Sequence, residues 1–508
     1  MHLTPPIAWT IAGSDSGGGA GIQSDLRSFH DFGVHGCTVI TALTAQNSMT
    51  ISNIRATDSE QIMAQIEALD SDLAAQAIKL GMLANSTIIR CIASYLKSYS
   101  GFVVCDPVLQ SSNNHSLLDS DALQAFKQLL PRIDLLTPNI GEAETLTGLT
   151  ITTTEQLTHA AQALLAVGVR AVLITGGHFK PINNQRLDYY CDKDHSFWLA
   201  GENIATDHSH GSGCTLSSAI TAAIAKGYEL RDALVLAKAY TSQGLRHSVQ
   251  LGSGPGPVAH LGFPKQLEDL PHLTPHLTPH LTPHLTPHLI PHLIPKADGL
   301  PLEFASCGDE LGIYPVVDSI EWLEKLMPLG ITTIQLRIKN ADANLSAIIA
   351  HAVLLAQRYR VRLFINDHWQ LAIEHSAYGV HLGQEDIESA DLKAISAAGL
   401  RLGISTHSYY EIARAHAIGP SYIAIGPIYA TNTKVMRFSE RGLERLRQWV
   451  RLLKPRYLLT AIGGINLERA PGVLATGVNS CAVVSAITLA DDYQDAVRLF
   501  LQQQQNHL

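Results

Sequence analysis

Along this chain, short apolar runs alternate with polar or glycine-rich stretches and then with segments of helical periodicity. In the first half the runs are IAWTI at 7–11, QAIKLGML, GFVVCDPVL, IDLLTPNIGEAETL and RAVLITGGH, followed by HGSGCTLSSAITAAIA. Strand-like runs that end in polar loops before helices predict a mostly parallel sheet, with ligands at the carboxyl ends of its strands. From Gly312 onward the runs are GIYPVV, TTIQLRI, RLFIND, GVHLG, RLGIST, YIAIGPI, YLLTAIGG and CAVVSAI. Eight strand candidates in about 200 residues predict a compact (β/α)8 TIM barrel. The fold class expected is therefore α/β twice over.

The two patterns are separated by PHLTPHLTPHLTPHLTPHLIPHLIP, Pro271 to Pro295, with six histidines at a strict spacing of four. A helix would align them on one side, but a proline every fourth residue removes donors and clashes with the preceding turn. In an extended polyproline conformation, at about 3.1 Å per residue, neighbouring histidines stand roughly 12 Å apart and cannot share one ion without folding back. A semi-rigid spacer is the favoured reading; metal capture and partner binding stay open beside it. The domains expected are residues 1–264, a Pro/His-rich linker at 265–304, and residues 305–508.

Composition narrows the class. The chain has 508 residues, 46% hydrophobic and 16% charged, with a formal net charge of -9. That balance suits soluble α/β enzymes and leaves no electrostatic footprint for nucleic acid. Seven scattered cysteines without CxxC spacing suggest neither a disulfide framework nor a zinc ribbon. With no basic, apolar leader and no long apolar run, the expectation is a soluble, cytoplasmic protein that does not engage membranes.

Candidate chemistry sits at the loop positions. GSDSGGGAGIQSDLRSF, after the first run, is a glycine-rich loop opening a helix, where backbone NH groups could close on a ligand. At HGSGC, His210 to Cys214, several free NH groups and a positive helix end would converge. This is an anion hole suited to a transferring phosphoryl group. A thiolate at Cys214 would be favoured there, making it a possible base for a substrate hydroxyl. Alone, the motif reads rather as a small buried cysteine behind a glycine turn.

The ordered set AGSDSGGGAGIQSD, TALTAQNS, IKLGML, DPV, TPNIGEAE, GGH and HGSGCT resembles the hydroxymethylpyrimidine and phosphomethylpyrimidine kinases, ribokinase-like enzymes of thiamin synthesis. The resemblance spans about residues 5 to 262. It implies two ATP-dependent phosphorylations, of 4-amino-5-hydroxymethyl-2-methylpyrimidine and then of its monophosphate. By motif position it implies that Asp25 and Gln46 bond the aminopyrimidine and Met82 packs on its ring. Asn139 and Glu142 would support magnesium and phosphates, Cys214 would be the base, and the turn from Gly211 to Gly213 the oxyanion hole. Thr175 stands where the family carries a lysine before GGH, and LQSSNNHSLL replaces its Lys-Ser-Gly segment, so phosphate contacts are thinner.

In the second half the polar residues fall where barrel strands end. Asp367 and Asp386 could share a Mg2+, which prefers a few carboxylates plus phosphate oxygens, while Arg337, Lys339 and Lys434 would surround a polyanion. Glycines after the seventh run and Ser485 after the eighth match the usual barrel phosphate site. The motifs QLRIK, FINDHWQLAI, GVHLGQED, GIST, YIAIGPIYATNTK, AIGGI and VVSAI resemble thiamin phosphate synthase across about residues 311 to 502, with Ile338 replacing an acidic residue. The resemblance implies that Gln335, Arg337, Lys339, Asn366, Ser405 and Lys434 bind the pyrimidine pyrophosphate. Asp367 and Asp386 would bind Mg2+, and Thr431, Thr433, Gly464, Val484 and Ser485 the thiazole phosphate. Arg337 and Lys434 would also assist departure of pyrophosphate.

The function expected is a bifunctional enzyme of thiamin synthesis, whose kinase half makes the pyrimidine pyrophosphate that its synthase half consumes, with Mg2+ and ATP. Its partners would be small molecules, and a homo-oligomer is compatible with the reading. Two alternatives differ in class: a barrel related to thiazole tautomerases, and a kinase half reduced to pyrimidine binding or scaffolding.

Overall fold

The computed structural model describes residues 4–109, 120–177, 184–275, 302–339, 343–431 and 440–507. The chain divides into two compact units, Met1–Gly299 and Leu300–Leu508.

The first unit is built on one ten-stranded sheet. Its strands are β1 (Ile7–Asp15), β2 (His35–Gln46), β3 (Ile51–Ala56), β4 (Ala77–Leu80), β5 (Phe102–Cys105), β6 (Leu135–Leu136), β7 (Ala171–Ile174), β8 (Gln185–Asp192), β9 (Ser196–Glu202) and β10 (His272–Pro275), in the order β10-β9-β8-β7-β6-β5-β4-β1-β2-β3. From β7 to β2 all neighbours are parallel, as the alternating pattern predicts. Both margins are antiparallel, because β2–β3 and β8–β9 are joined by short hairpins that cannot make a parallel crossover. The β8–β9 turn is pinned by Asp192, whose Oδ1 accepts the backbone NH groups of Asp194 and His195.

Residues 265–275, read from sequence as linker, are part of this unit. They form a 3-10 turn at Leu267–Asp269 and the edge strand β10, in which His272 pairs with Ala200 and Leu273 is buried. The remaining repeat lies outside the described residues. An edge is where strand proline is tolerated, since its missing NH faces no partner.

The core of the first unit holds Trp9, Ile78, Val103 and Phe126. The helix Ser212–Ala225 is buried on almost every side, so it can carry its alanines and β-branched residues without an amphipathic stripe. Its first turn is thereby fixed against the carboxyl ends of the central strands.

The second unit is a closed barrel of eight parallel strands: β11 (Tyr314–Val317), β12 (Thr333–Leu336), β13 (Arg362–Asn366), β14 (Gly379–Leu382), β15 (Arg401–Thr406), β16 (Tyr422–Ile425), β17 (Leu458–Ile462) and β18 (Ser480–Val483). Pairing of Tyr314 with Ala482 closes it. Each of the eight apolar runs contributes one strand. Tyr314, Phe364 and Tyr422 fill one layer of the interior. A Cβ at Gly403 would lie 2.2 Å from the Tyr422 ring, so the glycine makes room for that tyrosine to cross the barrel. Among the described residues no helix is long and apolar enough to cross a membrane.

Candidate active sites

In the first unit two glycine turns face each other. Asp15, at the end of β1, accepts NH bonds from Gly17, Gly19 and Ala20, and its Oδ2 lies 3.4 Å from His210 Nε2. Burial pushes the Asp15 carboxyl up, but His210 and the NH groups outweigh it and hold the group below its ordinary range. Gly211 has φ +78°, and a Cβ there would lie 2.0 Å from the Gly19 carbonyl oxygen. The contact between the loops therefore requires glycine.

Beneath these turns lies a buried charge cluster. Lys79 on β4 bonds both carboxylate oxygens of Asp25, at 3.0 and 2.9 Å, and neither side chain is exposed. Thr10 donates to the same carboxylate at 2.6 Å. Burial opposes the Lys79 charge, but Asp25, Cys214 and Asp106 hold the ammonium above its usual range. Asp106 is bonded to Cys214 and Ser217, and burial raises its pKa above the ordinary carboxylate range. Asn139 and Glu142 form a reciprocal cap on the helix Ile140–Thr147, at 2.9 and 3.0 Å. Burial, then Asp106, pushes Glu142 up to about 8. Two buried acids that disfavour each other's charge suit a divalent cation.

These facts alter several expectations. Asp25 is fully buried, and its carboxylate accepts from Lys79 and Thr10. Cys214, third in its helix, does not have its thiolate favoured: burial raises the thiol well above its ordinary range, Asp106 and Asp25 add to this, and Lys79 with the Gly21 backbone only partly offset them. The thiol is protonated near neutral pH. Gln46, at the end of β2, receives 3.3 Å from Thr44 Oγ1 and is half-buried, while Met82 Sδ lies 3.4 Å from where a Cβ of Gly13 would stand. Gln46 borders the loop after β1 through Ser16, and Met82 lies beside the end of β1 itself. Thr175 donates its NH to Pro138 and bridges to Asn139. Most of LQSSNNHSLL lies outside the described residues. Lys79 lies in the motif IKLGML and Asp106 in DPV, and the signal for a role is a lysine and an aspartate inside or at the end of wholly apolar strands.

In the barrel, Gln335, Arg337, Asn366, Asp367 and Ser405 stand at strand carboxyl ends or in the loops that follow, and Asp386 opens the short helix after β14. Asp367 directly follows β13, with φ +65°, a conformation that a non-glycine residue rarely holds. Its NH bonds the His381 carbonyl. Burial and then the neighbouring Asp386 carboxylate push Asp367 up to about 6, against the pull of Arg337 and His368. The two carboxylates are thus brought together, and their donor set fits a hard divalent cation. His368 Nε2 donates to the Ile338 carbonyl at 3.1 Å, so position 338 serves this contact by its backbone. Lys339 is exposed.

Gly463 and Gly464 follow β17, and Cβ atoms there would lie 2.7 Å from Pro427 and 2.5 Å from the Ala430 oxygen. This packs the loop after β17 against the segment leading to Thr431. Val484 and Ser485 directly follow β18. Thr433 and Lys434 lie outside the described residues.

Sequence reading missed a chain of polar groups across the barrel. Gln335 Nε2 donates to Tyr314 Oη at 3.2 Å; Tyr314 and Tyr422 hydroxyls are 2.8 Å apart; Tyr422 Oη is 2.7 Å from His381 Nδ1; and His381 Nε2 is 2.8 Å from Ser405 Oγ. The His381 ring stacks on Tyr422, with centroids 5.6 Å apart.

Comparison with known proteins follows the same division. The family model for phosphomethylpyrimidine kinase matches residues 15–259, and that for thiamine monophosphate synthase matches residues 313–487. The chain is 58% identical over 199 residues to the thiamine-phosphate synthase of Yersinia pestis (strain Pestoides F), covering 39% of this chain and 92% of that protein. To the Salmonella typhimurium thiamine-phosphate synthase it is 56% identical over 195 residues, 38% and 92% of the two chains. Among solved structures, pyridoxal kinase from Staphylococcus aureus in complex with ADP is similar with a TM-score of 0.50 and 28% identity, over 54% of this chain and 100% of that one. Phosphomethylpyrimidine kinase from Clostridium difficile is 37% identical, with a TM-score of 0.42, over 46% and 97% of the chains. The chain belongs to the thiamine-phosphate synthase family through its barrel, and carries a phosphomethylpyrimidine kinase domain ahead of it in the same polypeptide.

Proposed function

We propose that this chain phosphorylates 4-amino-5-hydroxymethyl-2-methylpyrimidine and then its monophosphate with ATP, and condenses the resulting pyrophosphate with thiazole phosphate to give thiamin phosphate and pyrophosphate. The observation that carries the reading is the union of the two matched domains in one chain, because the product of the first is the substrate of the second. The S. aureus relative bound to ADP supports nucleotide use by the ribokinase-like half.

In the kinase half, the NH groups of the turn from Gly211 to Gly213 would stabilise charge on the transferring phosphoryl group, and Asn139 and Glu142 border it. Gln46 and Met82 would hold the pyrimidine. With its thiol protonated, Cys214 can accept the hydroxyl proton only while passing its own proton to the ionised carboxylate of Asp106, to which it is bonded. The buried Lys79 ammonium would favour that carboxylate in its ionised, proton-accepting form.

In the barrel, Asp367 and Asp386 would hold Mg2+, which supplies charge compensation to a diphosphate leaving group. Arg337, Lys339 and Lys434 would neutralise the same group, and Asn366, Gln335 and Ser405 would orient the pyrimidine pyrophosphate. Thr431, Thr433, Gly464, Val484 and Ser485 would hold the thiazole phosphate. No general base is required at the reacting carbon. The test is to supply the purified chain with ATP, Mg2+ and the hydroxymethylpyrimidine alone. Conversion to the pyrophosphate supports the kinase assignment, and absence of ATP consumption would reduce that half to a binding module.

A further inference from the structure

The five-membered chain from Gln335 to Ser405 has a direction. Tyr314 Oη receives a proton from the Gln335 amide, so its own hydroxyl proton is free only toward Tyr422. Tyr422 then donates to His381 Nδ1, and the ring proton belongs on Nε2, facing Ser405. The imidazole is buried and its two nitrogens face the hydroxyls of Tyr422 and Ser405, so one lone pair and one NH complete the chain. Ser405 therefore accepts from His381 and keeps its own proton for whatever occupies the mouth. Gln335, having turned its NH2 inward, keeps its amide oxygen as an acceptor.

Resting on the synthase reading, we infer that Tyr422 and His381 are positioning residues that preset Gln335 as an acceptor and Ser405 as a donor, and so select an aminopyrimidine diphosphate over its oxo analogue. An exocyclic amine requires an acceptor, and a ring nitrogen or diphosphate oxygen requires a donor. The reversed chain, with Gln335 accepting from Tyr314 and Ser405 donating to His381, would present the opposite pattern, which suits a 4-oxo ring. Four of the five members are fully or almost fully buried at 0–6% exposure, so solvent does not reset the direction from within the barrel. Gly403 maintains the arrangement by leaving space for the Tyr422 ring.

The test uses the full chain. Histidine 15N resonances, with His381 assigned by its loss in His381→Gln, should show the tautomer protonated on Nε2; protonation on Nδ1 overturns the inference whatever the activity. Tyr422→Phe, checked for cooperative unfolding, should raise KM for the pyrimidine pyrophosphate about tenfold, as expected for one lost hydrogen bond, and leave KM for thiazole phosphate unchanged. Inhibition by the 4-oxo diphosphate should strengthen relative to that KM. Tyr314→Phe, which cuts the same chain one link earlier, should give the same loss of discrimination. An equal rise in both KM values, or unchanged discrimination in a folded variant, overturns the inference. If the wild-type chain makes no thiamin phosphate, the synthase reading fails instead, and the tautomer measurement still decides the direction of the chain.

Discussion

Lys79 and Asp25 form an ion pair of 2.9 Å in which neither side chain touches solvent. Removing one partner strands a charge in the sheet. Asp25→Ala should therefore cost about 3–5 kcal/mol in the stability of the first unit. Denaturant unfolding of the full chain, followed by Trp9, tests this; a loss under about 1 kcal/mol would contradict it.

The Cys214 thiol is raised by burial and by Asp106 and Asp25, so little of it is thiolate at neutral pH. Alkylation at pH 7.5, read by peptide mass spectrometry, should be at least about tenfold slower at Cys214 than for free cysteine. Labelling at or above the free-thiol rate would restore the expectation of an activated thiolate.

Gly211→Ala places a methyl group on a left-handed residue against the Gly19 carbonyl. Loss of that turn should lower pyrimidine phosphorylation about a hundredfold. Thiamin phosphate formation from supplied pyrimidine pyrophosphate should be unchanged, because the barrel is a separate unit. A parallel loss of both activities would contradict the assignment.

His381 gives the barrel a defined acid sensitivity. Its folded value, about 3, lies below the ordinary histidine value near 6.5, so the folded form resists the proton. The stabilising contribution is present above about pH 6.5 and is lost as pH falls toward 3. Between pH 7 and 5 this amounts to about 2 kcal/mol. Unfolding of the second unit in His381→Gln should show that much less acid dependence; an unchanged slope would mean that His381 does not titrate on unfolding.

What the sequence made legible was local. Each of the eight runs after Gly312 became a barrel strand, and Asp367 and Asp386 came together because strand ends share one mouth. The parallel centre of the first sheet followed from the same alternation. The antiparallel margins were not read, and neither was the pairing of the first repeat unit with β9, since edge pairing depends on a partner about 70 residues earlier. The Lys79–Asp25 pair and the Tyr314, Tyr422 and His381 chain were hidden for a related reason. Each joins polar residues from different segments of the chain, where periodicity records burial but not partners. The helix position of Cys214 suggests a low thiol pKa, while the burial and the acids that reverse it come from elsewhere in the fold.

The central claim is that one chain makes and then consumes a pyrimidine pyrophosphate. Its most direct test supplies the purified protein with ATP, Mg2+, hydroxymethylpyrimidine and thiazole phosphate, and measures thiamin phosphate in the native chain and in Asp367→Ala. The native chain should form thiamin phosphate, and the variant should accumulate the pyrimidine pyrophosphate. Thiamin phosphate from the variant at the native rate, or no phosphorylated pyrimidine from either, would contradict the account.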